Sequence, residues 1–202
     1  HWNQFSLDGI GGEIKDILYA YVKAESITYS SGEREAEQFF LSYFQQQPYW
    51  QEHPAYVGTK PIPDDPFQRA ASFAMVRGTG EKTIVLLHHN DVVTVEDYDR
   101  LRPLAFSPDE LEAELKKRIS SFSPEIQEDL NADAYLYGRG VCDMKGGGAI
   151  QMALLRRYSE LARRSPEELP GNLIVLAVPD EENLSAGMRT AVVLLYEKKK
   201  KY

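Results

Sequence analysis

The sequence predicts an α/β protein with three layers, in which a mixed, mostly parallel sheet lies between two layers of helices. Residues 83–87 and 172–178 each contain a continuous apolar run, which is typical of strands covered on both faces. Amphipathic helical patterns alternate with the strand patterns along the chain, as they do in α/β folds. Three polar segments each follow a predicted strand, and open α/β sheets bind ligands beyond the carboxyl ends of their strands.

The first part of the chain is predicted to hold two helices and a loop. Apolar residues at helical spacing indicate a helix over residues 9–25. A second helix begins near Ser30 and ends at Pro48, because proline cannot continue a helix. Residues 48–66 are rich in proline and aromatic side chains, and we expect an irregular loop there.

Two strands are predicted next, over residues 70–77 and 82–88. The Gly-Thr-Gly-Glu segment at 78–81 separates them and is typical of a hairpin turn. The second strand contains the apolar run noted above, so we expect it to be buried on both faces.

The rest of the chain alternates between helices and strands after a long polar connection over residues 94–133. This connection is too long for a plain loop and indicates a helical insertion that folds over the surface. The predicted elements are helices at 108–119 and 124–130, a strand at 134–137, a helix at 149–164, a strand at 172–178 and a helix at 186–201.

Composition excludes several classes of protein. The chain has 202 residues, 43% apolar and 27% charged, which is ordinary for a soluble globular protein. A formal charge of −8 argues against nucleic acid and anionic membranes as partners. The single cysteine, Cys142, excludes an internal disulfide and fits a reducing compartment. With no apolar run near the roughly 20 residues of a membrane span and no signal-peptide pattern, the expected location is the cytoplasm.

Three polar segments carry side chains that can do chemistry. His89-Asn90-Asp91 follows the first apolar strand, and a carboxylate two residues from a histidine can orient its ring. Asp143 lies in a glycine-rich turn before a helix, and Asp180-Glu181-Glu182 follows the second apolar strand. Adjacent acids repel each other unless solvent separates them or a cation gathers them.

Each segment alone also has an ordinary structural interpretation. The histidine could simply end a strand, Asp143 could cap a helix, and the acidic run could be a solvated loop. Three such segments in this order, each after a predicted strand, are improbable as independent accidents. Together they supply the imidazole and carboxylate ligands that zinc accepts.

The order of these motifs resembles a known family. His-x-Asp-Val-Val at 89–93, Gly-Arg-Gly-x-x-Asp-Met-Lys-Gly-Gly at 138–147 and Asp-Glu-Glu at 180–182 are similar to the di-zinc amidohydrolases and exopeptidases. That family includes succinyl-diaminopimelate desuccinylase, acetylornithine deacetylase, aminoacylase and glutamate carboxypeptidase. Residues 90–104 and the insertion after them most resemble its arginine-utilisation branch. The resemblance implies a zinc-exopeptidase-like catalytic domain.

The resemblance also implies roles for individual residues. His89 would bind one zinc ion, Glu182 would bind a second, and Asp143 would bridge the two. Glu181 would act as the general base and then the general acid, and Asp91 would orient His89. Cobalt or manganese could replace zinc. The implied activity is hydrolysis of amide or peptide C–N bonds in amino-acid-derived small molecules or short peptides.

Two further features of the family can be compared with this sequence. The family usually has a cis peptide after its bridging aspartate, which here is the Asp143–Met144 bond. His88 stands where the family usually has glycine, which leaves two adjacent histidines as candidate ligands, although the spacing to Asp91 favours His89.

The resemblance covers only the N-terminal portion of the family's catalytic domain. The family needs one more carboxylate and a distant histidine as ligands. After Glu182 the only acid is Glu197 and there is no histidine, while His1 and His53 lie far upstream. The site is therefore expected to be incomplete in residues 1–202, with the lid or dimerisation domain and the closing segment absent. A homodimer of a longer parent, formed through that missing domain, remains an option.

Two alternatives to a metal-dependent hydrolase remain open. Cys142 could be a nucleophile with His88 or His89 as its base, although a small buried packing residue is the more ordinary role for a cysteine. The chain could instead be a truncated or degenerate relative that serves as a binding or structural module.

Overall fold

A four-stranded mixed sheet organises residues 9–201, the part of the chain that the computed structural model describes. Its strands are β1 (Val57–Pro61), β2 (Ala70–Val76), β3 (Thr83–His89) and β4 (Asn172–Val178). The α-helices of this region are α1 (Ile10–Val22), α2 (Glu33–Gln45), α3 (Pro48–Glu52), α4 (Pro108–Lys116), α5 (Pro124–Asn131), α6 (Gly146–Arg164) and α7 (Ala186–Lys201). None of the helices described is long and apolar enough to cross a membrane.

The strand order is β1-β2-β4-β3. Strands β3 and β4 are parallel, whereas β4 pairs antiparallel with β2 and β2 pairs antiparallel with β1. The sheet is mixed as expected, but only one of these three pairings is parallel. The parallel pair matters most for function, because its register places His89 beside Val178 at the carboxyl end of both strands.

The predicted hairpin of β2 and β3 is wrong, because β4 lies between them. The segment at 78–81 instead passes the start of β4. The amide of Thr79 donates to the carbonyl of Leu169 at 2.8 Å, and the amide of Gly78 donates to the Asn172 side chain at 3.2 Å. The glycine-rich turn therefore connects two strands that share a neighbour, which local sequence cannot distinguish from a hairpin.

Helices cover both faces of the sheet, which confirms the three-layer prediction. Helices α1, α2 and α6 pack on one face, where Tyr21, Phe40 and Met152 are fully buried against sheet residues such as Val175. Helix α7 packs on the opposite face. The apolar residues that join this helix to the sheet are Ala71, Phe73, Met75, Ile174, Leu176, Val178, Ala191 and Leu194.

Burial on both faces is confirmed for β4 but is wrong for most of β3. The side chains of Ile84 and Val85 are 64% and 41% exposed, because β4 is the only strand paired with β3 in the described chain. The carboxyl end of β3 is different. There His88 and His89 are buried, which holds the start of the His-x-Asp segment in place.

Two further segments differ from the sequence predictions. Residues 48–66 are not an irregular loop, since Pro48 starts α3 and residues 57–61 form the edge strand β1. Residues 134–137 are not a strand, because they make no ladder with any described strand. Asp143 therefore follows an unpaired segment, and only two of the three polar segments follow strands.

The helices of the C-terminal half agree with the predictions more closely. The insertion at 94–133 contains α4, α5 and two short 3₁₀ segments, and α7 spans the predicted residues. Helix α6 begins at Gly146, three residues earlier than predicted, and continues to Arg164. Gly146, Gly147 and Gly148, which were predicted to lie in a glycine-rich turn before the helix, thus form its first turn.

The contact between α6 and β3 predicts a difference between two neighbouring glycines. A Cβ atom on Gly148 would lie 2.7 Å from Cδ2 of the buried His88 ring, so Gly148→Ala is expected to lower the free energy of unfolding by about 1–3 kcal/mol. A Cβ on Gly147 would meet only the flexible end of Met144 at 3.1 Å, so Gly147→Ala should be neutral or stabilising by up to about 1 kcal/mol. Urea denaturation of both variants measures this, and equal effects would contradict the packing described.

Candidate metal centre

His89 is held at the end of β3 by contacts to both of its ring nitrogens. Nδ1 donates to the backbone carbonyl of Asp91 at 3.0 Å and lies 3.4 Å from its carboxylate, while Nε2 lies 3.0 Å from Oδ1 of Asp143. Burial opposes the charged form, but the Asp91 and Asp143 carboxylates outweigh it and raise the pKa of His89 to about 9. The ring is thus fixed with Nε2 facing an acidic cluster, where a cation could take the place of the proton.

Asp91 links the two strand ends. Its fully buried carboxylate accepts the amide of Glu181 on Oδ1 at 3.1 Å and the amide of Glu182 on Oδ2 at 3.0 Å. Burial alone would raise the pKa of Asp91, but His89 and these two amides lower it below its usual value. Asp91 is therefore a carboxylate anion that contacts His89 and also holds the loop after β4.

Asp143 lies in a tight turn over residues Val141–Lys145, directly before α6. Gly140 precedes the turn with a φ of 81°, and the Asp143–Met144 peptide is cis, as predicted. The turn is anchored from below, since the buried Lys145 ammonium donates to the carbonyl of Ala24 at 2.7 Å. The Asp143 side chain itself is 75% exposed, so the turn is anchored in the interior while its carboxylate is accessible to solvent.

The structure brings His89, Asp143 and Glu182 together. One ligand atom from each lies within 4.8 Å of the others. Burial, and then the neighbouring Asp143 carboxylate, raise the pKa of Glu182. Glu181 is beside this group, with Oε2 3.9 Å from Nε2 of His89 and its side chain 51% exposed. Several carboxylates thus face one another, which a divalent cation would stabilise.

The donor set fits such a cation. Zinc binds histidine nitrogen and carboxylate oxygen at about 2.0–2.2 Å, so atoms of its ligands lie up to roughly 4 Å apart. The ligand atoms of the three side chains lie within 4.8 Å of one another, so they would need only a small approach to meet this requirement. Asp143 is exposed, while Glu182 is partly buried. Nδ1 of His89 is already used by Asp91, which leaves Nε2 as the metal-binding nitrogen.

The neighbouring His88 is in a different environment. Its ring is fully buried between Tyr21 and Phe40, with Nε2 3.2 Å from the Tyr21 hydroxyl and Nδ1 2.9 Å from the Gln151 side chain. Burial lowers its pKa to about 4. His88 is a neutral core residue, and His89 is the histidine that faces the acidic group.

The cysteine hypothesis is not supported by these contacts. Cys142 is exposed rather than buried, so its expected packing role is wrong. Its two candidate bases use both of their ring nitrogens for other groups, and within residues 9–201 neither is paired with the thiol.

The acid after Glu182 and the two histidines far upstream, Glu197, His53 and His1, are not part of the ligand group found among the described residues. Glu197 forms an ion pair with Lys60 at 2.8 Å, and His53 stacks on Tyr56 with ring centroids 5.1 Å apart. His1 is outside the described part of the chain.

Sequence reasoning missed a buried ionic cluster behind the site. Nη1 of Arg69 donates to Glu33 at 2.6 Å and to Asp180 at 2.9 Å, while Nη2 of Arg69 donates to Asp65 at 2.6 Å. Asp180 was interpreted as one member of an acidic run, yet it is buried against an arginine. Glu33 and Arg69 carry no recognisable motif, and they lie more than a hundred residues from Asp180.

Comparison with known proteins gives similarity along most of the chain. The sequence model of Peptidase family M20/M25/M40 matches residues 85–202. The chain is 33% identical over 189 residues to Protein RocB of Bacillus subtilis, covering 93% of this chain and 32% of that protein. It is 35% identical over 191 residues to the uncharacterized protein YqjN of the same organism, covering 94% and 33%. The chain therefore spans about a third of these relatives.

Solved structures show the same fold. The di-peptidase Dug1p of Saccharomyces cerevisiae superposes with a TM-score of 0.57 at 16% identity, covering 92% of this chain and 35% of that one. The metallo-carboxypeptidase Sso-CP2 of Sulfolobus solfataricus, described as a member of family M20, gives a TM-score of 0.52 at 17% identity, covering 84% and 31%.

The different surroundings of the two histidines predict different consequences of their replacement. His89→Ala is expected to weaken zinc binding strongly, since it deletes the one imidazole among the described residues that faces Asp143 and Glu182. His88→Phe should keep zinc affinity but lower the free energy of unfolding by about 1–3 kcal/mol, because Tyr21 and Gln151 lose their buried partner. Competition against a chromogenic chelator, with thermal unfolding, measures both. If His88→Phe lost zinc binding while His89→Ala kept it, His88 rather than His89 would be the metal ligand.

Proposed function

Because the chain belongs to Peptidase family M20/M25/M40, we propose that it supplies part of the catalytic centre of a metal-dependent hydrolase of amide or peptide C–N bonds. The recognition of this family from three motifs is confirmed, as is the resemblance to the branch that includes RocB. The observation that carries the proposal is the convergence of His89, Asp143 and Glu182, with Glu181 beside them.

The residues that would hold the metal are His89, Asp143 and Glu182, and the proposed metal is two zinc ions. Cobalt and manganese are the alternatives. A divalent cation at this place would polarise a substrate carbonyl and make a water molecule more acidic. The described residues offer three ligands, so we expect the remaining carboxylate and histidine to come from the rest of a polypeptide as long as its relatives.

Glu181 is the proposed general base. It lies close to the ligand group without belonging to it, and its half-exposed carboxylate can reach a water molecule. It would accept the proton of the attacking water and pass it to the nitrogen of the leaving amine. Asp91 holds the amide of Glu181 and also contacts His89, so one buried anion would keep the base and a ligand in register.

The proposed substrates are short peptides or amides derived from amino acids. The names of the similar structures, a di-peptidase and a metallo-carboxypeptidase, support peptide bonds as the target. Similarity to RocB supports the arginine-utilisation branch. The net charge of −8 supports a small molecule rather than nucleic acid as the partner, and the single exposed cysteine supports a cytoplasmic location.

Dependence on metal is the first test of this proposal. In the intact polypeptide, removal of metal by a chelator should abolish hydrolysis of a panel of dipeptides and N-acyl amino acids, and zinc, cobalt or manganese should restore it. Metal analysis of the protein as purified accompanies the assay. Hydrolysis that persists after complete removal of metal would contradict the proposal.

Glu181 provides the second test. Glu181→Gln should keep the bound metal but lower kcat by about 10²- to 10⁴-fold, since the amide cannot accept a proton. The matched control is Glu197→Gln, which removes an exposed carboxylate paired with Lys60 and should leave kcat unchanged. A Glu181→Gln protein with normal turnover would exclude Glu181 as the base.

A further inference from the structure

The loop after β4 is held by three consecutive backbone amides. The amide of Asp180 donates to Oε2 of Glu33 at 2.7 Å, and the next two amides donate to the two carboxylate oxygens of Asp91. Both acceptors are buried, with Glu33 1% exposed and Asp91 fully enclosed. The backbone that carries Glu181 and Glu182 is therefore fixed by two carboxylates from distant parts of the chain.

The Glu33 half of this anchor belongs to the Arg69 cluster. The side chains of Glu33, Arg69 and Asp180 are at most 2% exposed, and Arg69 bonds both acids through one nitrogen. Arg69 is itself immobilised. Asp65 accepts its other nitrogens at 2.6 and 3.0 Å, and the rings of Tyr29 and Phe67 lie 5.4 and 5.5 Å from the guanidinium carbon.

Asp180 connects this cluster to the loop after β4 and fixes the conformation of the loop. Its Oδ1 accepts from Arg69, and its Oδ2 accepts the amide of Ala186 at the start of α7. Its backbone has a φ of 69°, in the left-handed region, which is uncommon for non-glycine residues but accessible to aspartate. The two residues that follow it are Glu181 and Glu182.

Stability is a weak reason for such a cluster. The cost of removing charges from water offsets most of their attraction, and apolar replacements of buried ion pairs are often equally stable. What buried ions provide here is geometry, because both carboxylate oxygens of Glu33 and both of Asp180 accept from specific donors. The direction of Glu181 and Glu182 depends on that geometry.

We propose that Glu33 and Arg69 are positioning residues of the candidate metal centre, which act through Asp180 to aim Glu182 at His89 and Asp143 and to hold Glu181 beside them. The inference rests on the proposed function for the identity of the site. It adds Glu33, the first residue of α2, and Arg69, the residue before β2, which are not metal ligands and which contact the buried side of the loop.

Cobalt binding by the intact protein tests this inference, because visible absorption of Co²⁺ reports the number and geometry of its ligands without any turnover. Glu33→Gln is expected to weaken Co²⁺ binding about 10- to 100-fold and to change the absorption spectrum, since the amide cannot accept from both Asp180 and Arg69. Arg69→Lys retains the charge but loses the several directed bonds, and we expect the same changes at smaller size.

The matched control is Glu13→Gln. Like Glu33, Glu13 is a glutamate paired with arginine; it is partly buried, lies 3.0 Å from Arg156 and 3.1 Å from Arg157, and joins α1 to α6 without touching the loop. This variant should lower the melting temperature of the metal-free protein while leaving the Co²⁺ affinity and spectrum of the wild type.

The outcomes are distinguishable. If the wild type binds no Co²⁺, the proposed function fails and this inference fails with it. If the wild type binds Co²⁺ and Glu33→Gln has the same affinity and spectrum, the inference alone is overturned. If Glu33→Gln does not fold, Arg69→Lys decides by the same two readouts. A changed spectrum in Glu33→Gln with an unchanged spectrum in Glu13→Gln supports the positioning role.

Discussion

The carboxylate of Asp91 is the interaction on which the candidate site depends. It is fully buried, it contacts the ring of His89, and it accepts the amides of Glu181 and Glu182. These contacts exist because β3 and β4 are parallel neighbours, so the segments after both strands leave the sheet at the same edge. A single anion can then fix the orientation of an imidazole and the path of an acidic loop.

Charge is the second constraint on this part of the molecule. Acids are concentrated at the ends of β3 and β4, and each must be neutralised or solvated. The structure separates them into two groups. Asp180 points inward, pairs with Arg69 and is buried. The side chains of Glu181 and of Asp143, which comes from another part of the chain, are 51% and 75% exposed and lie beside His89. Only the second group is accessible to a cation from solvent.

Sequence reasoning succeeded where the information is local and failed where it depends on the order of strands. The proximity of His89 and Asp143 could be predicted from short motifs, and α7 from its apolar pattern, whereas the cis bond was implied by the resemblance to the family. The hairpin was wrong because a strand almost a hundred residues later inserts between β2 and β3. Residues 134–137 have a strand-like composition but no described partner. Glu33 and Arg69 escaped notice because a buried ion pair between distant residues leaves no pattern in either segment.

Rigidity and access are divided between different residues of the site. His89, Asp91 and Asp180 are buried and have specific partners on several atoms, so they can hold a geometry when a ligand binds. The carboxylates of Asp143 and Glu181 are 75% and 51% exposed and lie on the opposite side of the imidazole. In the proposed site a substrate would approach from that open side, where the proposed metal ligand Asp143 and the proposed general base Glu181 would both meet it. Buried residues with fixed geometry beneath accessible reacting groups are the arrangement that the proposed hydrolysis by an activated water would require.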